Sequence, residues 1–256
     1  PPSNIYFHGN NKTNHELQMA LDYKIGKIVV DGFNELNDLN RMAKSRGVVQ
    51  DIMLRVSPSV DPHTHTYTTT GILDSKFGFP IETGDATQAI KSSIKASNLN
   101  LVGLHFHLGS PIFELEPYST AINAVLTFAS HFKNDGLDVQ EFSPGGGFAI
   151  GYDITQPPPT IADYAQVITS AVITGCNDLG LNKPKLVVEP GRSIVGRAGV
   201  ALYTVGTIKN IPGVRKYVSL DGGMGDNIRP ALYQARYDAV IANKMSESLE
   251  ETITLA

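Results

Sequence analysis

Short apolar runs alternate along this chain with amphipathic stretches, and polar turns separate the two. Ile5–His8 predicts a strand. Thr13 predicts the start of a helix, because Glu16 three residues later completes a capping box. Lys27–Asp31 predicts a second strand followed by a helix near Asn34–Ser45, and Asp51–Ser57 a third strand followed by a long loop. Ala86, Ile90, Ile94 and Ser97 recur at helical spacing, and Asn100–Leu108 is again a strand pattern. Tyr118, Ala121, Ile122, Val125, Ala129 and Phe132 form a helical stripe. Val139–Ser143 predicts a strand, residues 161 to 174 a helix, and Lys185–Glu189 a strand apolar on both faces at Leu186, Val187 and Val188.

Strands and helices in strict alternation predict an α/β fold with a parallel sheet under helices, and strands apolar on both faces agree with it. A doubly wound sheet and a (β/α)8 barrel both fit. From Gly199 the pattern changes: Val200–Lys209, Lys216–Asp221 and Glu251–Leu255 look like strands with no crossover helix between them. The expected division is therefore residues 1–198 in the α/β part and 199–256 in the start of an all-β domain. Pro157-Pro158-Pro159 is expected as a rigid local loop.

Composition narrows the function classes. With 41% hydrophobic and 18% charged residues, 256 residues can bury a sizeable core. A net charge of −4 gives no basic footprint for nucleic acid and no polybasic patch for a membrane surface, while small anionic or zwitterionic ligands stay compatible. Cys176 is the only cysteine, so no disulfide forms within the chain, and a reducing cytoplasm fits. No apolar run reaches membrane-spanning length, and no signal peptide is expected in these residues, since Pro1-Pro2-Ser3-Asn4 has no basic segment followed by an apolar stretch.

The polar and glycine-rich signals fall just after strands, at the edge where parallel α/β folds carry their sites. Gly145-Gly146-Gly147 is either a phosphate cradle or a tight strand-to-helix turn. Glu189, ending an apolar run ahead of Pro190-Gly191-Arg192, needs a partner: a protonated ring nitrogen or an arginine. Strand periodicity puts His105 and His107 on one face and Phe106 on the other. The two imidazoles could stack on a flat cofactor, share a metal ion, or be hydrogen-bonded core histidines. His63 and His65 suit a solvated or structural loop better than a site. Arg229 and Tyr233, four apart, offer either a carboxylate fork or a surface arginine.

Together these segments resemble the diaminopimelate decarboxylases along nearly the whole chain. The matching pieces are Phe7-His8-Gly9-Asn10-Asn11-Lys12-Thr13, Asp61-Pro62-His63-Thr64-His65 with Thr70-Gly71, and Asp74-Ser75-Lys76-Phe77-Gly78. They continue with Gly103 to Ser110, the triple glycine, Glu189-Pro190-Gly191-Arg192-Ser193, and Leu220-Asp221-Gly222-Gly223 through Tyr233. The triple glycine, His107-Leu108-Gly109-Ser110 and Glu189 to Arg192 are shared with the wider alanine-racemase-like decarboxylases that use pyridoxal 5'-phosphate. The resemblance implies a (β/α)8 barrel, here strands three to eight, followed by the start of a β domain. It implies His107 stacked on the cofactor ring, Glu189 on the pyridine nitrogen, and Ser110, Gly146, Gly147 and Gly191 around the phosphate. Arg192, Arg229 and Tyr233 would address the substrate carboxylate.

The implied reaction turns meso-diaminopimelate into L-lysine and carbon dioxide, in a homodimer acting on a small amino acid. Ser143-Pro144 before the glycines departs from the family pattern. The family's Schiff-base lysine lies on an earlier barrel strand, outside these residues, and Lys12 and Lys76 belong to other motifs. No catalytic lysine is therefore assigned, and the isolated stretch is expected to be inactive. Three alternatives stand beside this. They are a related basic amino-acid or carboxynorspermidine-type decarboxylase, a non-catalytic homologue, and a metal-dependent barrel hydrolase using His105 and His107 with His8 and Asp221.

Overall fold

Thr13 and Glu16 cap their helix reciprocally: the Thr13 hydroxyl accepts the Glu16 N–H, and the Glu16 carboxylate accepts the Thr13 N–H. The computed structural model that shows this describes residues 1–61, 75–151, 157–235, 237–248 and 251–256. The His63, His65, Thr70-Gly71 and Asp74 positions lie outside the described residues. Contacts divide the chain into two units, Pro1–Ala149 with Pro158–Ile194, and Ile150–Pro157 with Val195–Ala256.

In the first unit the elements run β1 (Tyr6–Phe7), α1 (Asn14–Asp22), β2 (Lys27–Val30), α2 (Phe33–Ser45), β3 (Gln50–Ser57) and β4 (Phe79–Pro80). They continue with α3 (Asp85–Lys95), β5 (Leu99–His105), α4 (Glu116–Ser130), β6 (Glu141–Ser143), α5 (Ile161–Leu179), β7 (Lys185–Leu186) and the short α6 (Arg192–Val195). Six strands pair in parallel in the order β1-β2-β3-β5-β6-β7, and β4 pairs with β3.

The sheet is curled. Tyr6, Lys27, Glu141 and Lys185 are the first residues of β1, β2, β6 and β7. The Tyr6 hydroxyl donates to Glu141 Oε2 at 2.6 Å, and Lys27 and Lys185 reach Oε1 at 3.1 and 3.3 Å. In a flat sheet β1 and β6, four places apart, would stand roughly 19 Å from each other. The contact therefore crosses the inside of a curled sheet, as in a (β/α) barrel, and a doubly wound sheet is set aside. Outside the curl, Leu36 and Leu39 of α2, Ala86 and Ile90 of α3, and Ala121, Ile122 and Val125 of α4 are all at most 2% exposed. These are the apolar stripes their helices were expected to bury.

Boundaries differ from the sequence expectation where tertiary context decides. α3 ends at Lys95, so Ser97 lies beyond it and Ile94 is exposed. The strand expected to reach Leu108 ends at His105. α5 runs five residues past Thr174, held by a second capping box between Thr160 and Asp163 and closed by Gly180 at φ 61°. The strand expected over Lys185–Glu189 is only Lys185–Leu186, and Val188 is 43% exposed.

The second unit is a three-stranded sheet ordered β10-β9-β8, from β8 (Val205–Ile211), β9 (Arg215–Leu220) and β10 (Thr254–Leu255). β8 and β9 are antiparallel, and the parallel β10 adds to β9. It also carries a five-residue helix, α7 (Arg229–Tyr233), which the all-β expectation did not include. No described helix is long and apolar enough to cross a membrane.

Candidate active site

The C-terminal ends of the curled strands bring together side chains that lie far apart in sequence. His8 follows β1, His105 ends β5, and Glu189 lies three residues past β7. His105 Nε2 stands 2.9 Å from Glu189 Oε1, and His8 Nε2 stands 3.4 Å from the same oxygen. The two rings meet edge-on with centroids 4.8 Å apart. The Ser143 hydroxyl, at the end of β6, also approaches Oε1 at 3.4 Å. All these contacts fall on Oε1, and Oε2 takes none among the described residues.

The charge states follow from this packing. Burial pushes the Glu189 carboxyl up, but His105, His8 and His107 outweigh it and hold its pKa at about 2. Burial holds His8 down at about 4, with His105 adding to the effect. Burial likewise holds His107 at about 4, reinforced by the Arg55 guanidinium. Near neutral pH the site thus holds one ionised carboxylate with neutral imidazoles at His8 and His107.

His107 lies past the end of β5, and its Nδ1 accepts the Gly146 N–H at 3.3 Å. The glycine loop is packed bare against its neighbours. A Cβ on Gly146 would come within 1.8 Å of the Glu189 carbonyl oxygen, and one on Gly147 within 2.2 Å of the Gly109 carbonyl. Both of the loop's readings survive, since the close approach that demands glycine also strips the loop of side chains. From behind, the Tyr118 hydroxyl of α4 donates to the Gly146 carbonyl at 2.6 Å, and Tyr164 of α5 accepts the Ala149 N–H at 3.1 Å. These two tyrosines buttress the loop, and sequence reasoning did not single them out for that role. The burial of Tyr118 within its helical stripe was the available signal.

Ser110 begins a cis bond to Pro111. Gly191 adopts φ 34° and its carbonyl accepts the Ile194 N–H, opening the turn that carries Arg192. Arg229 and Tyr233 belong to the second unit, where the guanidinium lies 5.4 Å from the tyrosine ring centroid.

The partner expected for Glu189 was a ring nitrogen or an arginine; the protein partners present are two histidines and the Ser143 hydroxyl. The hydrolase alternative drew on His105 and His107 with His8 and Asp221, and the structure groups these residues differently. The ligand atoms that converge are those of His8, His105 and Glu189, within 4.8 Å of one another. His107 is outside that group, and Asp221 accepts the Thr204 N–H in the second unit. Arg55 was missed. It lies two residues before the end of β3 beside Phe77, 4.4 Å from the ring centroid, and 3.7 Å from Asp31, which in turn accepts the Gly78 N–H at 2.6 Å. A lone arginine inside an apolar strand pattern was the signal available for it.

Comparison with known proteins finds relatives along the whole chain. The diaminopimelate decarboxylase of Bacillus subtilis (strain 168) is 43% identical over 257 residues, covering 100% of this chain and 58% of that protein. That of Staphylococcus aureus (strain COL) is 44% identical over 255 residues, covering 100% and 59%. The chain thus spans less than two thirds of the length of the curated relatives it matches. Among solved structures, a diaminopimelate decarboxylase from M. jannaschii in complex with L-lysine superposes with a TM-score of 0.84. It is 36% identical and covers 93% of this chain and 54% of that one. One from Helicobacter pylori, also with L-lysine, gives 0.83 at 32% identity over 93% and 57%. Residues 1–196 match the model of the pyridoxal binding domain of pyridoxal-dependent decarboxylases, and the chain belongs to that family.

Proposed function

We propose that the protein of which this chain is part decarboxylates meso-diaminopimelate to L-lysine, with pyridoxal 5'-phosphate as cofactor. The carrying observation is the Glu189 carboxylate: ionised, gripped through Oε1 by His8 and His105, and open at Oε2. The donor set fits the cofactor, because a protonated pyridine nitrogen needs an anionic acceptor beside it. Bound there, pyridoxal phosphate supplies an electron sink for the pair left behind when carbon dioxide departs. Glu189 keeps the proton on the ring nitrogen. His107, neutral and largely buried, offers a flat face to the ring. Gly147, Ser110 and Gly191 are assigned to the phosphate as backbone and hydroxyl donors, and Gly146 as part of the same bare loop, its own N–H being held by His107 Nδ1.

Arg192, Arg229 and Tyr233 are assigned to the substrate carboxylates by their motifs, since a guanidinium matches a carboxylate in two-pronged geometry. The L-lysine held by the M. jannaschii and H. pylori relatives is the product this reaction would yield. A homodimer acting in the cytoplasm belongs to the same proposal.

The test is a chimera carrying this chain between the flanking segments of the B. subtilis relative. Carbon dioxide release is assayed with diaminopimelate, lysine and ornithine. Diaminopimelate should be the preferred substrate. Glu189→Gln should lower turnover by a factor equivalent to about 3–4 kcal/mol while cofactor absorbance shows that binding persists. Full activity in Glu189→Gln, or preference for lysine or ornithine, refutes the assignment.

A further inference from the structure

His105 is 1% exposed, and neither of its ring nitrogens has a hydrogen-bond partner among the described residues. Its Nε2 lies close to Glu189 Oε1 at 2.9 Å, but without the alignment of a hydrogen bond. His105 Nε2 therefore faces the carboxylate at contact distance with its lone pair or proton poorly aligned to it. His8 Nε2 approaches the same oxygen at 3.4 Å from a different strand end, with its ring tilted 65° to that of His105. Three ligand atoms from three strand ends therefore converge within 4.8 Å.

We propose that His8, His105 and Glu189 form a binding site for a divalent transition-metal ion of the zinc type, open to the ion when the cofactor is absent. Zinc bond lengths of about 2.0–2.2 Å place tetrahedral ligand atoms roughly 3.3–3.5 Å apart. The 3.4 Å separation already meets this, the 2.9 Å one must open by about half an ångström, and the widest separation in the group, up to 4.8 Å, must close by as much as about 1.4 Å. Two imidazole nitrogens and one carboxylate, with a fourth position left to water, are a donor set that zinc accepts. Oxygen-seeking magnesium and calcium do not favour it.

The site has a consequence for the cofactor. A protonated pyridine nitrogen and a dication both claim Glu189, and two positive charges on one carboxylate repel. Ion and cofactor should therefore exclude one another. This competition rests on the cofactor reading above, whereas the ion site does not.

The experiment uses the purified 256-residue chain, stripped with a chelator and dialysed against zinc chloride. Bound zinc is counted by atomic emission, and cobalt(II) substitution is followed by visible absorption. One ion per chain is expected, with cobalt bands of four-coordinate intensity. His105→Ala, Glu189→Gln and His8→Asn should each weaken binding at least about tenfold. His107→Ala, outside the ligand set, should not. Circular dichroism checks that each variant folds, and the part-exposed His8 supplies a variant that leaves the core intact. Absence of a stoichiometric ion, or binding indifferent to His8→Asn and Glu189→Gln, overturns the site. Pyridoxal phosphate titrated into the zinc-loaded chimera, which restores the flanking segments of the relative, should release zinc as its own absorbance reports binding. Zinc fully retained after the cofactor has bound overturns the competition. Failure of the cofactor to bind at all refutes the cofactor reading, and the competition falls with it, while the ion site stands or falls on its stoichiometry.

Discussion

Replacing Lys12 with methionine tests whether this lysine holds the scaffold rather than a cofactor. Its side chain is 1% exposed, and its three donors are all used: on Glu35 Oε1, on the Gly9 carbonyl and on the Val29 carbonyl, each at 2.7 Å. These bonds tie the loop after β1, which carries His8, to β2. Lys12→Met keeps the apolar stem and removes the charge. It leaves two carbonyls without a donor and a carboxylate that is 10% exposed without its cation. Breaking a buried pair from one side costs about 3–5 kcal/mol, and the stranded carbonyls keep the loss toward the upper end. Burial already raises the Glu35 pKa, with Lys12 as the main opposing influence. Once that opposition is gone, the folded variant holds a proton on Glu35 to higher pH than the unfolded chain does. A raised folded pKa gives stability that is present at low pH and lost as pH rises through it. The deficit of Lys12→Met should therefore be largest near pH 8 and shrink toward pH 5. Lys12→Met with Glu35→Leu should recover much of the loss. Urea unfolding of the three variants at several pH values measures this. A deficit below about 1 kcal/mol at pH 8, or one that does not change with pH, would refute the account.

Gly103→Ala should destabilise the chain by about 1–3 kcal/mol or more, since its Cβ would stand 2.0 Å from the Glu141 backbone carbonyl across the β5–β6 pairing; a melting temperature equal to that of the parent would sink this. Acid should weaken the fold between pH 6.5 and about 4, because His8 and His107 titrate lower in the folded chain than in the unfolded one. The unfolded chain then binds more protons, and each imidazole costs at most about 1.4 kcal/mol per pH unit as pH falls. Urea midpoints that stay flat from pH 6.5 to 5 in the parent, or that fall as steeply in His8→Asn with His107→Asn, would contradict it.

The alternation of strands and helices was legible in the chain because each helix carries one apolar stripe and the strands are apolar on both faces. Curl was not. No local pattern says that Tyr6 meets Glu141, and the partners of that contact are 135 residues apart. Ends of elements were misjudged where a neighbour decides them. β5 stops at His105 although Phe106 still donates its N–H to the Ser143 carbonyl, because the chain then turns through Gly109 at φ 156°. β7 is short because its pairing with β6 extends over two residues only. A run of valines cannot express that limit.

The site was legible in a different way. Glycine-rich turns and a glutamate closing an apolar strand mark positions that a fold must explain, so Gly145–Gly147 and Glu189 stood out one at a time. What links them is invisible along the chain. The Glu189 carbonyl is what forbids a side chain on Gly146, and the Glu189 carboxylate is what draws in His8 and His105. One residue thus sets the backbone of the neighbouring loop and the electrostatics of the strand ends together. That coupling has a mechanical consequence. A substitution confined to the carboxylate, such as Glu189→Gln, leaves the carbonyl contact in place and acts on charge alone. A side chain at Gly146 must push the Glu189 backbone away and so disturb both. The two changes separate the chemical role of this corner of the sheet from its structural one, which motif spacing alone presents as a single signal.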